Sequence, residues 1–522
     1  MTDDGDEIRK LVEERVAQEA GIPPADTDEA PKVTSKLIRA CLFENEKGDG
    51  VLYSTLFRDR FLFDKNTQEW FEWAGHYWQR DKMSRSLAAV EQVAEHYLAE
   101  YKRTAAELGD KVAAGLDQGS PEAIKIKKQA DALLHRASML RADNRRKACL
   151  TFSHTSANPI AISGEEFDRK PMLFPCANGV IDLETGLLTP GLPGDYLSLA
   201  SPVEWKGIDE PAPLWEQTLL EIFGGNESLP AYLQRLFGYG MTGKVHEKVF
   251  PVFYGKTGWN GRSLIIETIS QVMGALAGSI PAEMLLSQKF GKSSSGPSPD
   301  IMSLRGIRVA FASEIDEGQR FSTSRIKWLT GKDELVGRNP HDKYQTRFSP
   351  TQKLFLMTNT LPQAPASDRA FWERLHLIPF LISFVMRDPE EPHERRAIKD
   401  LDLQVQKEAS GILAWLVRGC LLWQRDGINP PVEVLQARKQ YQADEDLLAD
   451  FIDEHCVKAP GTKEKAAALY ARFVFWYNAN HGKKEPTGTW FGKQLAHKYE
   501  KSKSNGCVVY HGITLLNPQG EL

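Results

Sequence analysis

The chain has 522 residues, 41% of them hydrophobic and 26% charged, with a formal net charge of −5, which is enough material for roughly three or four packed units. It contains no run of about 18 apolar residues that could span a bilayer, and its acidic start, MTDDGDEIRK, is not a secretory leader, so a cytoplasmic protein with no membrane partner is expected. The mild acidity excludes a protein coated in positive charge but leaves room for a local basic channel.

Six cysteines (Cys41, Cys149, Cys176, Cys420, Cys456 and Cys507) stand without a CxxC pair, so buried free thiols are expected rather than a disulfide framework or a zinc site. Residues 1–35, rich in Asp, Glu, Ala and Pro, read as a flexible acidic tail. From about Leu37 to Arg80 the pattern suggests short strands, most clearly in RFLFDKNTQEWFEWAGHYWQRD. Trp70, Trp73 and Trp78 fit the packed face of a small sheet better than a platform for stacking bases. Residues 85–150 have helical periodicity and grow basic, which suits a solvated helix face more than a collar lying beside DNA. FPCANGVIDLETGLLTPG carries tight turns at Asn178-Gly179 and Glu184-Thr185-Gly186. A small mixed α/β domain over residues 36–205 accounts for these signals.

Over residues 206–390, helical stretches alternate with the apolar strands KVFPVFY, RVAFASE, KLFLMTN and RLHLIPF. That alternation predicts a mainly parallel α/β sheet with its working loops at the C-terminal edge. Residues 391–445 read as helices. Residues 446–522 follow the helix-helix-helix-hairpin order of a winged helix, with Thr487 or Thr489 capping the third helix.

The segment GKTGWNGRS directly follows the apolar run VFPVFY. A phosphate loop needs a strand, glycine turns that aim backbone N–H groups at phosphate, and a helix whose positive pole starts at the same place. Here Gly255, Gly258 and Gly261 supply the turns, Trp259 and Asn260 sit inside the loop, and SLIIETISQVM supplies the helix. Ser263 stands where a hydroxyl reaches Mg²⁺. There are two departures. Five residues separate Gly255 from Gly261, and Arg262 replaces the usual lysine with a planar fork on a longer arm. A glycine-rich structural turn is the alternative reading of the loop alone.

Downstream, IRVAFASEID is a strand that ends in Glu314 and Asp316, where such enzymes place carboxylates for Mg²⁺ and the attacking water. KLFLMTNTLP ends in Asn359, which suits a water-orienting amide or a turn ahead of Pro362. SDRAFWERLHLIPF offers Arg369 and Arg374, either of which suits an arginine acting on a neighbouring subunit's ATP. ELVGRNPHDKYQTRF should form a hairpin with His341 and Lys343 near its tip, placed to grip single-strand phosphates, unless it is a plain surface hairpin. GKSSSGPSPD reads as a flexible insertion.

In this order GKTGWNGRS, RVAFASEID, IKWLTGKDELVGRNPHDKYQTRFSPTQKLFLMTNTLP and DRAFWERLHLIPF resemble the helicase core of the phage and plasmid primase-helicases. These are superfamily 3 helicases of the AAA+ class, related to the poxvirus helicase-primase, and the resemblance is dense over roughly residues 215–385. FPCANGVIDLETG and WFEWAGHYWQRD resemble the domain before that core, and the tail resembles its C-terminal winged helix.

The resemblance implies an α/β fold with an AAA+ type phosphate-loop core, preceded by a small mixed domain and followed by helices and a winged helix. It implies ATP and Mg²⁺ as cofactors. Gly258, Asn260, Gly261, Arg262 and Ser263 match the phosphate loop, with Gly255 and Trp259 as further nucleotide contacts. Glu314 matches the Walker B acid and would share Mg²⁺ with Ser263. Asp316 is its less certain helper, Asn359 matches sensor 1, and Arg374 falls at the arginine finger. Lys327, Asp333 and Arg338 fall in the segment that faces DNA, with His341 and Lys343. The implied protein is an ATP-dependent DNA helicase, a hexamer or similar ring on single-stranded or forked DNA, open to other replication proteins. The alternative is a DNA-loading ring that binds nucleotide but turns it over poorly because of Arg262. No priming activity is expected, since about 200 residues precede the core and no paired-carboxylate polymerase site is evident. Lys483, Lys484, Lys493, Lys498, Lys501 and Lys503 cluster around the third tail helix and suit duplex DNA or a protein partner equally.

Overall fold

The computed structural model describes residues 33–288, 297–313, 315–316, 318–340, 345–480, 485–504 and 507–516. The first elements are helices, Ser35–Phe43 and Asn45–Leu56, where the sequence reading expected strands. Ile38, Cys41 and Leu42 fall at helical spacing and are buried, and the Thr34 hydroxyl caps the first helix by accepting from the Leu37 N–H. Strands begin with β1 (Phe61–Asp64), β2 (Glu69–Trp73) and β3 (Trp78–Arg80), an antiparallel meander that β4 (Ala161–Ile162) joins in parallel beside β1. Trp78 is buried with Trp73 edge-on at 5.3 Å, so these two tryptophans pack as a sheet face.

Helices Val90–Ala113 and Pro121–Met139 fold back on each other, and Asp143–Thr155 packs on Asn45–Leu56. At their junction the fully buried Asp49 carboxylate meets Arg136 at 2.8 Å and Arg145 at 2.7 Å. Removing either arginine would weaken the partnering of that buried charge. A second small sheet, β5 (Leu173–Cys176), β6 (Gly179–Asp182) and β7 (Leu187–Thr189), contains both turns read from the sequence.

The central sheet consists of β8 (Phe250–Tyr254), β9 (Ala277–Ile280), β10 (Val309–Ser313), β13 (Lys353–Thr358) and β14 (Leu375–Pro379), with the hairpin strands β11 (Leu335–Gly337) and β12 (Thr346–Phe348) inserted before β13. Its order is β14-β8-β13-β10-β9, parallel throughout. Both faces are covered. Phe253 points into the core shared with the helices before and after the sheet, while Phe250 and Val252 point into the core on the other face. Because β8 lies between β14 and β13, the loop leaving its C-terminal end opens into a crevice bordered by the ends of both neighbours.

One buried cation, Arg308, joins the N-terminal unit to this sheet, and a second, Lys353, is held within the core. Arg308 donates to the Pro171 carbonyl at 3.0 Å. Lys353 donates to the Thr351 carbonyl at 3.0 Å and lies 4.9 Å over the Tyr239 ring, and burial holds its proton affinity well below that of an ordinary lysine.

After β14 a short parallel pair, β15 (Ser383–Val385) and β16 (Glu394–Arg396), precedes helices Leu401–Gln406, Ala409–Asp426 and Val432–Asp444. Ala409–Asp426 crosses Ser228–Met241 so closely that a Cβ on Gly238 would lie 2.2 Å from the Cys420 nitrogen. The tail holds helices Leu447–His455, Ala466–Asn480 and Gly488–Lys498 around a sheet of β17 (Cys456–Lys465), β18 (Lys501–Ser504) and β19 (Cys507–Leu515). Thr487 caps the third helix through the Trp490 N–H. Five cysteines are buried free thiols, but Cys507, expected among them, is exposed on its edge hairpin. Among the described residues no helix is long and apolar enough to cross a membrane.

Candidate functional site

The loop after β8 is shaped by its own side chains. Gly261 has φ +83°, and a Cβ there would meet Ile222 Cγ1 at 2.5 Å, so both conformation and space require glycine. Trp259 adopts φ +58°, a rare conformation for an aromatic residue, with its indole 79% exposed. Its carbonyl accepts from the Phe384 N–H at 2.7 Å, and the Gly258 carbonyl accepts from the Ser383 hydroxyl at 3.2 Å, so β15 holds the loop from outside. Asn260 is buried and its amide donates to the Thr257 carbonyl at 2.7 Å. A Cβ on Gly255 would lie 2.3 Å from that amide nitrogen; Gly255 therefore makes a seat for Asn260 and does not line the cavity.

Arg262, the first residue of helix Arg262–Met273, is buried and turned back against the sheet edge. Its Nε donates to Asn260 Oδ1 at 2.9 Å, one terminal nitrogen donates to the Phe253 carbonyl at 3.2 Å and to the Thr358 carbonyl, and the other donates to Asn359 Oδ1. The guanidinium thus braces the ends of β8 and β13, and burial lowers its proton affinity below the ordinary arginine value. A fork with five donors suits this cluster of oxygens better than an ammonium would.

Beside the brace lies a cavity of about 800 Å³, lined by loop residues 258–264, Ile315 and Met357–Asn359. Thr218, Glu221 and Ile222 line it from the preceding helix. Phe384, Met386, Ile398 and Lys399 line it from the strap after β14. Sequence reasoning missed both of these walls. The signal available was the run LISFVM, whose Met386 is 68% exposed, more than a core residue should be. The cavity therefore brings a helix N-terminus with its loop, Ser263, Asn359 and Lys399 together with the apolar Ile222, Met357, Phe384, Met386 and Ile398 and the carboxylates Glu221 and Asp400. That combination suits an elongated anion carrying a flat apolar group.

Ser263 lines the cavity, and its hydroxyl makes a long donor contact to Met357 Sδ at 4.0 Å, which leaves it available to a cation. Among the described residues no group of acidic, histidine or cysteine side chains could hold a metal alone. Glu314 lies outside the described residues. Asp316 is exposed just beyond β10 and does not line the cavity.

The remaining candidates lie elsewhere. Arg374 immediately precedes β14, whose Leu375 pairs with Phe250, whereas the loop leaves β8 at Tyr254 opposite Pro379. The two are thus at opposite ends of a strand, roughly 13 Å apart at about 3.3 Å per residue, and Arg374 cannot serve the cavity of its own chain. It donates to the Ala370 carbonyl at 2.6 Å, with its Nε buried and unpartnered. Arg369 is exposed and paired with Glu373 at 2.6 Å. Lys327 is paired with Asp368 at 2.8 Å, and Asp368 caps helix Arg369–Arg374. Asp333 is exposed, and Arg338 follows β11 with its backbone bonded to Ser298. His341 and Lys343 lie outside the described residues. In the tail, Lys493, Lys501 and Lys503 are exposed and Lys498 pairs with Asp446 at 2.6 Å, while Lys483 and Lys484 lie outside the described residues.

Residues 52–224 match the family described as D5 N terminal like. The chain is 26% identical over 370 residues to a protein of Acanthamoeba polyphaga mimivirus named as a putative helicase, covering 68% of this chain and 38% of that one. It is 24% identical over 392 residues to one of frog virus 3 that carries the same description, covering 61% and 40%. A protein of African swine fever virus named as a putative primase is 22% identical over 296 residues, covering 50% and 29%. The chain spans less than half the length of these curated relatives. Among solved structures, the apo C-terminal region of NrS-1 aligns with a TM-score of 0.49 at 12% identity, covering 88% of this chain and 98% of that one.

Proposed function

The chain belongs with the phage and viral primase-helicases, and from that premise we propose that it is an ATP-dependent DNA helicase or translocase built on an AAA+ type core. The observation that carries this reading is the cavity at the crevice end of β8, whose lining combines groups suited to phosphate with apolar side chains. The triphosphate of ATP would lie against the amides of residues 258–263 at the helix N-terminus, with Lys399 adding charge from the strap. The base would lie toward Trp259, Met386 and Ile398. Mg²⁺, held by Ser263 and Glu314, would neutralise the charge between the outer phosphates. Asn359, positioned by Arg262, orients the attacking water, with Glu314 as its acid partner and Asp316 as a helper.

Arg374 acts on a neighbour's nucleotide in this reading, which calls for a ring, a hexamer or similar assembly. The β11–β12 hairpin, with Arg338 at its base and His341 and Lys343 in its connection, would face a channel and grip single-strand phosphates. The tail would act as a winged helix whose exposed Lys493, Lys501 and Lys503 suit a duplex backbone.

One observation favours a second reading. Arg262 donates to four oxygens of its own chain, so its charge is already engaged in bracing the loop and the sheet edge. A ring that loads on DNA and binds nucleotide with little turnover would follow. DNA-stimulated ATP turnover of wild type, Arg262→Lys and Glu314→Gln separates the two. The helicase reading expects turnover in wild type that Glu314→Gln abolishes. A flat wild type with a sharp rise in Arg262→Lys would replace it with the loader.

A further inference from the structure

Apart from the cavity beside Arg262, an open cleft of about 610 Å³ cuts into the N-terminal unit between the β2–β3 hairpin, the Asp81–Leu87 connection and helix Asp143–Thr155. Its size is within the range of small-ligand pockets, roughly 300–1,000 Å³. Trp70, Arg80, Lys82, Lys147 and His154 are among the residues that line it.

The cleft pairs flat rings with unspent positive charge. His154 lies flat on Phe63, with centroids 3.8 Å apart and planes 14° apart, so its imidazole is backed rigidly on one face. Trp70 stands at 72° to it with centroids 5.8 Å apart, and the two rings make a corner. Burial and the nearby Lys65 lower the proton affinity of His154, which makes it a neutral flat surface at neutral pH.

The acids around the cleft are committed. Asp81 accepts from the N–H groups of Arg85 and Ser86 at 2.8 Å each and from the Ser86 hydroxyl at 2.7 Å, and Glu69 is tied to Arg80. Asp143 pairs with Lys147, but that pair is 65% and 67% exposed, so it holds Lys147 weakly. Lys65 and Lys82 carry no carboxylate partner among the described residues. Flat rings beside separated cations are what a nucleotide requires, a base to stack and phosphates to neutralise.

A single strand and a free nucleotide share that chemistry. A contact between domains favours the strand. Asn66, adjacent to Lys65, accepts from the Thr346 hydroxyl at 3.1 Å, and Thr346 begins β12 of the hairpin assigned above to single-strand contact. The hairpin is thus tied by one hydrogen bond to the β1–β2 connection that carries Lys65.

We propose that the cleft at Trp70 and His154 binds a nucleotide unit of single-stranded DNA, with the base on the two rings and neighbouring phosphates on Lys65, Lys82 and Lys147. It is distinct from the ATP site, and none of these residues lines that cavity.

The test uses the full chain without ATP and a fluorescent oligothymidylate of about 20 nucleotides, followed by anisotropy from ~50 to ~200 mM salt. Wild type is compared with Lys82→Glu/Lys147→Glu, two exposed changes that spare the core. A second oligonucleotide carrying 5-iododeoxyuridine is photocrosslinked and the attached peptides are mapped. We expect the double variant to bind about tenfold more weakly at low salt, with a log–log salt slope flatter by about 1.4, or about 0.7 for each lost phosphate contact. We expect crosslinks at Trp70 or His154 that the double variant loses and that excess thymidine monophosphate does not suppress. Crosslinks confined to other segments would overturn the proposal, whatever the affinities. So would monophosphate suppressing the crosslinks at the affinity of the oligonucleotide, which would assign the cleft to a free nucleotide. Because ATP is absent throughout, neither result depends on whether the core hydrolyses it.

Discussion

Arg262→Lys should loosen the phosphate loop even when no nucleotide is bound. The guanidinium spans oxygens of Phe253, Thr358, Asn260 and Asn359, which come from two strand ends and the loop itself. A lysine carries three donors at one point and no planar fork, so at least two of these oxygens lose their donor. At about 1 kcal/mol or somewhat more for each buried acceptor left unpaired, the local cost is about 2–3 kcal/mol. That corresponds to ~30-fold to ~150-fold more frequent opening of the region. Hydrogen exchange read by mass spectrometry on nucleotide-free protein measures this directly. Amides of the loop and the first turn of its helix, such as Ile265, whose N–H bonds the Gly261 carbonyl at 3.1 Å, should exchange faster by that factor. Peptides from the tail should not change. Equal protection of the loop in both proteins would refute the brace.

Gly261→Ala should cost nucleotide affinity at least tenfold, because the added methyl meets Ile222 at a φ of +83°, at about 2–4 kcal/mol of combined strain and overlap. Gly258→Ala, whose methyl meets nothing within 4 Å, should bind a fluorescent ATP analogue like wild type; equal loss in both would show that the close approach does not matter. Mixing Arg374→Ala into wild-type protein should depress turnover more than its share of subunits, since Arg374 is at the opposite end of the strands from its own loop. A strictly proportional fall would place its action within one chain. His376 is buried against the Tyr232 hydroxyl at 2.6 Å, and burial lowers its pKa to about 4. Its folded pKa is below the unfolded value, so the stability it permits is intact above pH ~6.5 and falls by up to about 3 kcal/mol as pH drops toward 4. Thermal denaturation of wild type and His376→Gln across that window should show a shallower acid loss in the variant, and parallel curves would contradict it.

Part of this architecture was legible because the relevant signals are local. An apolar run followed by glycines announces β8 and its loop, and Thr487 announces its helix. What was missed depends on residues far apart in sequence. Gly48 and Gly50 in NEKGDGVLY look like turn residues, yet both lie inside a helix at tight contacts. A Cβ on Gly48 would lie 1.9 Å from the Cys41 carbonyl oxygen, and one on Gly50 would lie 2.4 Å from Phe152 Cβ. Strand β17 is polar along KAPGTKEK and gains its structure from pairing with β19, so its own sequence offers no apolar alternation.

The candidate site divides in the same way. Loop spacing identified Gly258, Asn260, Gly261 and Ser263 as neighbours of the cavity or its frame. It did not reveal that Gly255 makes room for Asn260, or that Arg262 points to carbonyl oxygens, since those depend on how β8 registers against β13. Lys399 and Met386 reach the cavity only because the chain doubles back after β14.

The central claim is that the crevice beside Arg262 is an ATP site. The most direct measurement is an experimental structure of the full chain with a nonhydrolysable ATP analogue and Mg²⁺. The account predicts the triphosphate against the amides of residues 258–263, with Ser263 at the metal and the base toward Trp259 and Met386. An empty or closed crevice at saturating analogue, or a nucleotide bound elsewhere, would contradict it.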